Sequence, residues 1–173
     1  VTTCSGNSPI SASDLQYLWQ VFVAGQKVVG LDSTSKDPSK FQLAPFSLAT
    51  DVLYEIAKSF LGIPKGCLWD LYCGSGTIGI FCSDGFDHVI GMDDNESAII
   101  SARQNALDNN LDHLHFFHDR VSQDSLTSLK NRFGTPEVVI LDPPRKGCDS
   151  DFLTYLCEDI CPKRIVMVSC NPT

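Results

Sequence analysis

The sequence predicts an open, doubly wound α/β fold with a mostly parallel sheet, and three observations carry that reading. Short apolar runs recur at residues 67–72, 88–92, 113–117, 137–141 and 164–169; helical patterns fill the gaps between them; and a glycine-rich turn follows the first run. Runs that are nearly continuous in apolar residues suit strands covered on both faces. Strand, helix and strand repeating at roughly 25 residues implies βαβ units and a parallel sheet.

Taken in order, residues 14–24 (D-L-Q-Y-L-W-Q-V-F-V-A) read as an amphipathic or buried helix, residues 27–40 as a polar loop, and residues 48–61 as a second helix ended by Gly62 and Pro64. Residues 1–64 are therefore expected to be a lead-in whose helices pack on the sheet, and residues 65–173 the sheet domain. Within that domain the run 67–72 is the first strand. The segment 95–109 is a helix that Asn95 can cap, with Ile99, Ala102 and Ala106 on one face. Five strands are expected before the sequence stops.

Composition narrows the function classes. The chain has 173 residues, 43% hydrophobic and 20% charged, which suits an ordinary globular domain. No apolar run reaches the roughly 18 residues of a membrane span, and the first residues lack a basic start and an apolar core, so an intracellular protein is expected. The eight cysteines are expected to be reduced and mostly buried, since several sit inside apolar runs. A net charge of −8 argues against a domain that grips a phosphate backbone over a wide face.

The turn D-L-Y-C-G-S-G-T-I-G, from Asp70 to Gly79, leaves the first strand and opens a helix. Gly74 and Gly76 allow a tight turn and close approach of a ligand, and the helix N-terminus behind them offers N–H groups. Asp93, in G-M-D-D at the end of the second strand, stands where a carboxylate accepts both ribose hydroxyls. A nucleoside-containing cofactor is expected. Gly74, Gly76 and Gly79 also match the G-x-G-x-x-G fingerprint of dinucleotide-binding proteins, so the spacing alone leaves an NAD-dependent dehydrogenase open. Two further features favour S-adenosylmethionine (SAM). Asp70 precedes the glycines as in SAM methyltransferases, and the fourth strand ends in L-D-P-P-R-K-G, which sets Asp142 and a rigid double-proline turn at the carboxyl edge.

Together D-L-Y-C-G-S-G-T-I-G, G-M-D, L-D-P-P-R-K-G and V-S-C-N-P-T, in this order and at these strand ends, resemble the RNA uracil-5-methyltransferases that make 5-methyluridine in tRNA and rRNA. The resemblance runs from about residue 41 to residue 173. It implies a Rossmann-like class I SAM methyltransferase fold, an RNA substrate with tRNA ahead of rRNA, no membrane, and a monomer. It places Tyr72, Thr77, Asp93 and Asp142 around SAM with Gly74 and Gly76 beneath it, Asp119 near the adenine, and Cys170 as the nucleophile. Cysteine suits the chemistry: a thiolate added to carbon 6 of uracil turns carbon 5 into an enolate carbon able to attack a sulfonium methyl. Arg145 is left between RNA phosphate and bracing of its own loop. The histidines of H-x-H-x2-H (His113, His115, His118) are expected to be exposed on an edge strand rather than to hold metal.

The sequence departs from the family in two places. The family's Phe-Phe-Gln-x-Asn stretch, whose Gln touches SAM, has no counterpart between Ser47 and Leu48. A class I sheet has seven strands, so the two last strands and the Glu that removes the carbon 5 proton are expected to lie beyond this sequence, in a larger enzyme. Two rival readings remain: an amino-methyltransferase using Asp142-Pro143-Pro144, with Arg145 in place of the aromatic residue such enzymes carry, and a catalytically incomplete SAM- and RNA-binding module.

Overall fold

The computed structural model describes residues 2–3, 54–55, 57–144 and 147–168. Its sheet holds β1 (Thr2–Thr3), β2 (Cys67–Leu71), β3 (His88–Asp93), β4 (Leu114–His118), β5 (Val138–Leu141) and β6 (Arg164–Met167). Their spatial order is β1-β6-β5-β2-β3-β4. The last five run parallel, whereas the two-residue β1 joins the far edge antiparallel to β6. The expected runs and the observed strands agree to within one or two residues at each end. The strand β1 was not expected, because two threonines carry no periodic signal.

Helices cover both faces. Helix α1 (Thr77–Phe81) follows β2, α2 (Glu96–Asp108) follows β3, α3 (Gln123–Phe133) follows β4, and α4 (Ser150–Tyr155) runs into a π-helical turn at Leu156–Ile160 before β6. Successive strand residues point to opposite faces, so Leu68, Val89, Ile140 and Val166 pack with Ile78, Ile99, Ala102 and Ala106 on one side. Trp69, Ile90, Val139 and Ile165 pack with Leu126, Leu129, Phe152 and Ile160 on the other. Full burial of each such side chain contributes about 1.5–3 kcal/mol, which is why strands this short hold a five-strand parallel ladder.

Local signals start the helices where the sequence places them. The Asn95 side chain accepts from the Ala98 N–H at 3.1 Å and caps α2. Ser122 and Ser125 form a reciprocal capping box at the head of α3. Residues 57–60 are helical and close the expected second helix, which Gly62 ends at φ +78°. The expected helix at 14–24, the loop at 27–40 and the Ser47–Leu48 junction lie outside the described residues.

The six cysteines among the described residues form no disulfide, and Cys67, Cys73, Cys82 and Cys157 are buried. The other two, Cys4 and Cys170, lie outside the described residues. No helix among the described residues is long and apolar enough to cross a membrane.

Candidate active site

Chain direction across the sheet reverses at β2, with β3 and β4 laid down on one side and β5 and β6 on the other. Ligands of open α/β sheets bind outside the carboxyl ends of the strands at such a switch point. Here that place is a cleft of about 680 Å³. Tyr72 after β2, Asp93 at the end of β3 and Asp142 after β5 all line it, so three of the expected site residues come together from three adjacent strand ends.

The glycine turn is built tightly. The N–H groups of Tyr72 and Cys73 both donate to the Met92 carbonyl, at 2.9 and 3.1 Å, and this forces Tyr72 into the left-handed region at φ +64°. A non-glycine residue held there is a local strain of about 1–3 kcal/mol, of the kind that collects at functional sites. The Tyr72 phenol is half-buried, and burial pushes the nearby Cys148 thiol up to about 11. Gly76, at φ +77°, has no room for a side chain, because a Cβ would lie 2.7 Å from the Phe116 ring. Gly74, at φ +53°, faces open space.

Asp93 ties the turn to the next helix. One carboxylate oxygen accepts the Gly74 N–H at 2.9 Å and the other accepts the Asn95 N–H at 2.9 Å. Each oxygen retains a further acceptor position, so the carboxylate is fixed in place while still able to take two hydroxyls. Asp142 is held by its backbone N–H donating to Leu71 at 3.2 Å, and burial raises its carboxyl to about 6. The double-proline turn closes with the Gly147 N–H donating to Pro144 at 2.8 Å.

Asp70 has a role the sequence did not reveal. It is fully buried in β2, and its Oδ2 accepts the Gly79 N–H at 2.9 Å, so that N–H at the head of α1 is already paired rather than free for a ligand. Its other oxygen has no partner among the described residues. Burial raises the carboxyl to about 7, the Gly79 N–H opposes the rise, and the carboxylates of Asp142 and Asp93 add to it.

Thr77 sits outside the cleft lining, exposed at the start of α1, where its hydroxyl shares a 2.8 Å hydrogen bond with Tyr54. Asp119 is also outside the lining; its backbone N–H continues the ladder to Asp93 at 3.1 Å and its side chain accepts from the Arg120 N–H. Arg145 and Cys170 lie outside the described residues. Sequence reading missed Asp94, Arg120 and Asp149, which loops bring into the cleft wall, and Asp151, which the first turn of α4 brings there. With Asp93 and Asp142 they make, among the described residues, five carboxylates against one guanidinium, a field that favours a cationic ligand. No group of three or more His, Cys, Asp or Glu among the described residues is arranged to hold a metal ion.

A doubly wound sheet with a glycine turn, an acidic residue at the end of the following strand and an acidic cleft at the switch point defines an α/β nucleoside-cofactor domain. The family model for tRNA (uracil-5-)-methyltransferases matches residues 42–173, and the chain belongs to that family. It is 40% identical over 128 residues to a protein from Staphylococcus epidermidis described as an uncharacterized RNA methyltransferase, covering 73% of this chain and 28% of that one. A similarly described protein from Oceanobacillus iheyensis is 35% identical over 157 residues, covering 90% of this chain and 33% of that one. Among solved structures, the tRNA (uracil-54, C5)-methyltransferase of Pyrococcus abyssi, in complex with S-adenosyl-L-homocysteine, aligns with a TM-score of 0.51 and 33% identity, covering 68% of this chain and 28% of that one. The chain thus spans about a third or less of the length of these relatives.

Proposed function

We propose that this chain is the core of a SAM-dependent enzyme that methylates carbon 5 of a uridine in RNA, with tRNA the favoured substrate, and that Cys170 is its nucleophile. The observation that carries the reading is the meeting of Tyr72, Asp93 and Asp142 around one acidic cleft, in a chain of the uracil-5-methyltransferase family. The cleft fits SAM on its own chemistry. Gly74 leaves open space for close approach, Asp93 presents a braced carboxylate for ribose hydroxyls, and the carboxylates of the wall suit a ligand carrying an ammonium and a sulfonium. When bound, SAM would supply an electrophilic methyl group, the S–CH3 electron pair staying on sulfur as the neutral thioether S-adenosylhomocysteine leaves.

The work of the chain's own residues is to make carbon 5 nucleophilic. The Cys170 thiolate adds to carbon 6, the electron pair of the 5,6 double bond moves into an enolate, and carbon 5 acquires the methyl group. Removal of the carbon 5 proton by a base then expels the thiolate and restores the ring. Tyr72, Asp93 and Asp142 hold and orient the cofactor through this sequence, and Gly74 and Gly76 shape the floor beneath it. Because a duplex hides carbon 6, the target is an unstacked or loop uridine.

Replacing Cys170 by Ala in the full-length protein tests the reading, with mass spectrometry of nucleosides from treated tRNA. Formation of 5-methyluridine is expected to fall by roughly 10⁴-fold or more, with SAM binding by calorimetry retained. Unchanged methyl transfer would overturn the covalent route and favour an amino-methyltransferase; SAM and RNA binding with no transfer by the unmodified protein would favour a binding module.

A further inference from the structure

Asn105 stands in the second half of α2, next to the buried Ala106, where asparagine is a weaker helix former than alanine because its amide competes for backbone groups. Its side chain works outside the helix. The Nδ2 group donates to the Ser75 carbonyl of the glycine turn at 3.0 Å. The same helix is pressed against that turn: a Cβ at Gly76 would lie 2.7 Å from the Phe116 ring and 3.0 Å from the Ala102 methyl. Two residues before Asn105, Arg103 donates from Nε and Nη2 to the Phe116 carbonyl, at 3.1 and 2.8 Å, and ties α2 to β4. Asn105 therefore reaches the turn from a fixed support.

We infer that Asn105 is a positioning residue for cofactor binding: by holding the Ser75 carbonyl against α2, it keeps the glycine turn in the one shape that leaves the crest at Gly74 clear for SAM. The inference rests on the SAM cleft proposed above and adds to it a residue outside the cleft lining. The peptide in question joins Ser75 to Gly76. Its carbonyl accepts from Asn105, and its N–H donates to the Cys73 carbonyl at 2.9 Å. Both neighbours of Ser75 are glycines in the left-handed region, Gly74 at φ +53° and Gly76 at φ +77°, so no Cβ on either side bars the chain from turning over. Hydrogen bonds have to fix what side chains do not.

The anchors of the turn follow one another along the chain. The Met92 carbonyl takes the N–H groups of Tyr72 and Cys73, Asp93 takes the N–H of Gly74, and Asn105 gives its own N–H to the carbonyl of Ser75. The first two anchors belong to β3 and the third to α2. Without the third, the Ser75–Gly76 peptide keeps its bond to Cys73, inside the same turn, and the turn is free to populate other shapes. A cofactor that needs one shape binds in proportion to the population of that shape, so the loss is read as affinity. Because Arg103 already ties α2 to β4, the Asn105 bond is not needed to hold the helix in place.

The test uses the full-length protein, with SAM affinity by calorimetry, hydrogen exchange of the segment 71–79 by mass spectrometry without ligand, and kinetics on tRNA. Asn105→Ala removes the donor and leaves a better helix former, so α2 is kept. SAM affinity is expected to fall about fivefold, the share of one neutral hydrogen bond, and exchange in 71–79 to quicken by a similar factor. The KM for SAM rises with that loss while kcat stays within about twofold, because saturating cofactor restores the turn. Asn105→Asp keeps the shape but sets a carboxylate against the Ser75 carbonyl. At pH 8 the expected loss of affinity is about tenfold; at pH 5 the protonated acid donates, and affinity returns to within about twofold of the unmodified protein at the same pH. Comparison at equal pH removes the titration of Asp70 and Asp142, which both proteins share. Affinity and exchange of the Ala variant within about twofold of the unmodified protein would overturn Asn105 as a positioning residue, and so would a fall in kcat with SAM affinity unchanged. Equal losses for the two variants at both pH values would overturn the donated hydrogen bond as the cause. Failure of the unmodified protein to bind SAM would overturn the cofactor reading itself, and exchange without ligand would still report on the bond.

Discussion

Gly74 and Gly91 are near neighbours at the carboxyl edge, yet they meet opposite demands. Gly91 lies inside β3, directly across the ladder from Phe116 of β4, and a Cβ there would sit 2.3 Å from the Phe116 ring and 3.1 Å from the Cys73 sulfur. Gly74, joined to Asp93 by its N–H, has nothing within 4 Å of where its Cβ would be. The same residue type is thus used below the turn to let a ring press flat on backbone, and on top of the turn to keep space clear. The body of the sheet is closed and its crest is open, and that division places the chemistry.

The largest expected effect falls in the closed region. Gly91→Ala should cost about 3 kcal/mol of stability by urea denaturation, at the upper end for overpacking, because the Phe116 ring is 4% exposed and has nowhere to turn. Gly74→Ala meets no atom and is charged only the strain of its φ of +53°, about 1 kcal/mol. A reversal of that order would break the distinction between packed floor and open crest.

The difference also shows which parts of the molecule were legible beforehand. Apolar runs give parallel strands away because burial on both faces removes the need to alternate, and Asn95 announces α2 because its side chain completes the cap. The turn, Asp93 and Asp142 could be placed at one edge because parallel strands put all their carboxyl ends together. Cross-strand register cannot be read this way, so the press of Phe116 on Gly91 and Gly76 came only with the structure. Nor can a sequence tell an acidic residue that faces a ligand from one that caps a helix. Asp70 reads from the sequence only as the residue that precedes the glycines, and it is buried, holding the head of α1 through Gly79. Arg120 and Asp149 carry no periodic signal at all, and reach the cleft because loops carry them there.

Asp70 lies on the boundary between closed body and open crest, and pH probes that boundary. Its folded value of about 7 stands above the ordinary 3.8, so in that interval the folded state holds a proton that the unfolded state has released. Stability is therefore whole below the ordinary value, drains as the pH rises, and has lost this contribution once the pH has passed about 7. Asp142, at about 6, adds a loss of the same sign. Urea midpoints of the unmodified protein are expected to fall between pH 4 and pH 8, and those of Asp70→Asn to fall less, since an amide cannot ionise. Parallel curves for the two proteins would mean that water reaches Asp70 and that the crest is open more deeply than its full burial implies.

The smallest effect belongs to the crest itself. Tyr54→Phe removes the 2.8 Å hydrogen bond to the Thr77 hydroxyl but keeps the ring, whose centre lies 5.6 Å from that of Phe81 at a tilt of 53°. Both partners of the bond can turn to water instead, so the expected loss of stability is about 0.5 kcal/mol, the low end for a hydrogen bond. If Thr77 stands at the cofactor as the family resemblance implies, its freed hydroxyl should shift SAM affinity in calorimetry by about twofold, in step with that small energy. A tenfold loss of affinity with unchanged stability would show that the crest, though open in space, is as strictly ordered toward its ligand as the floor is toward Phe116.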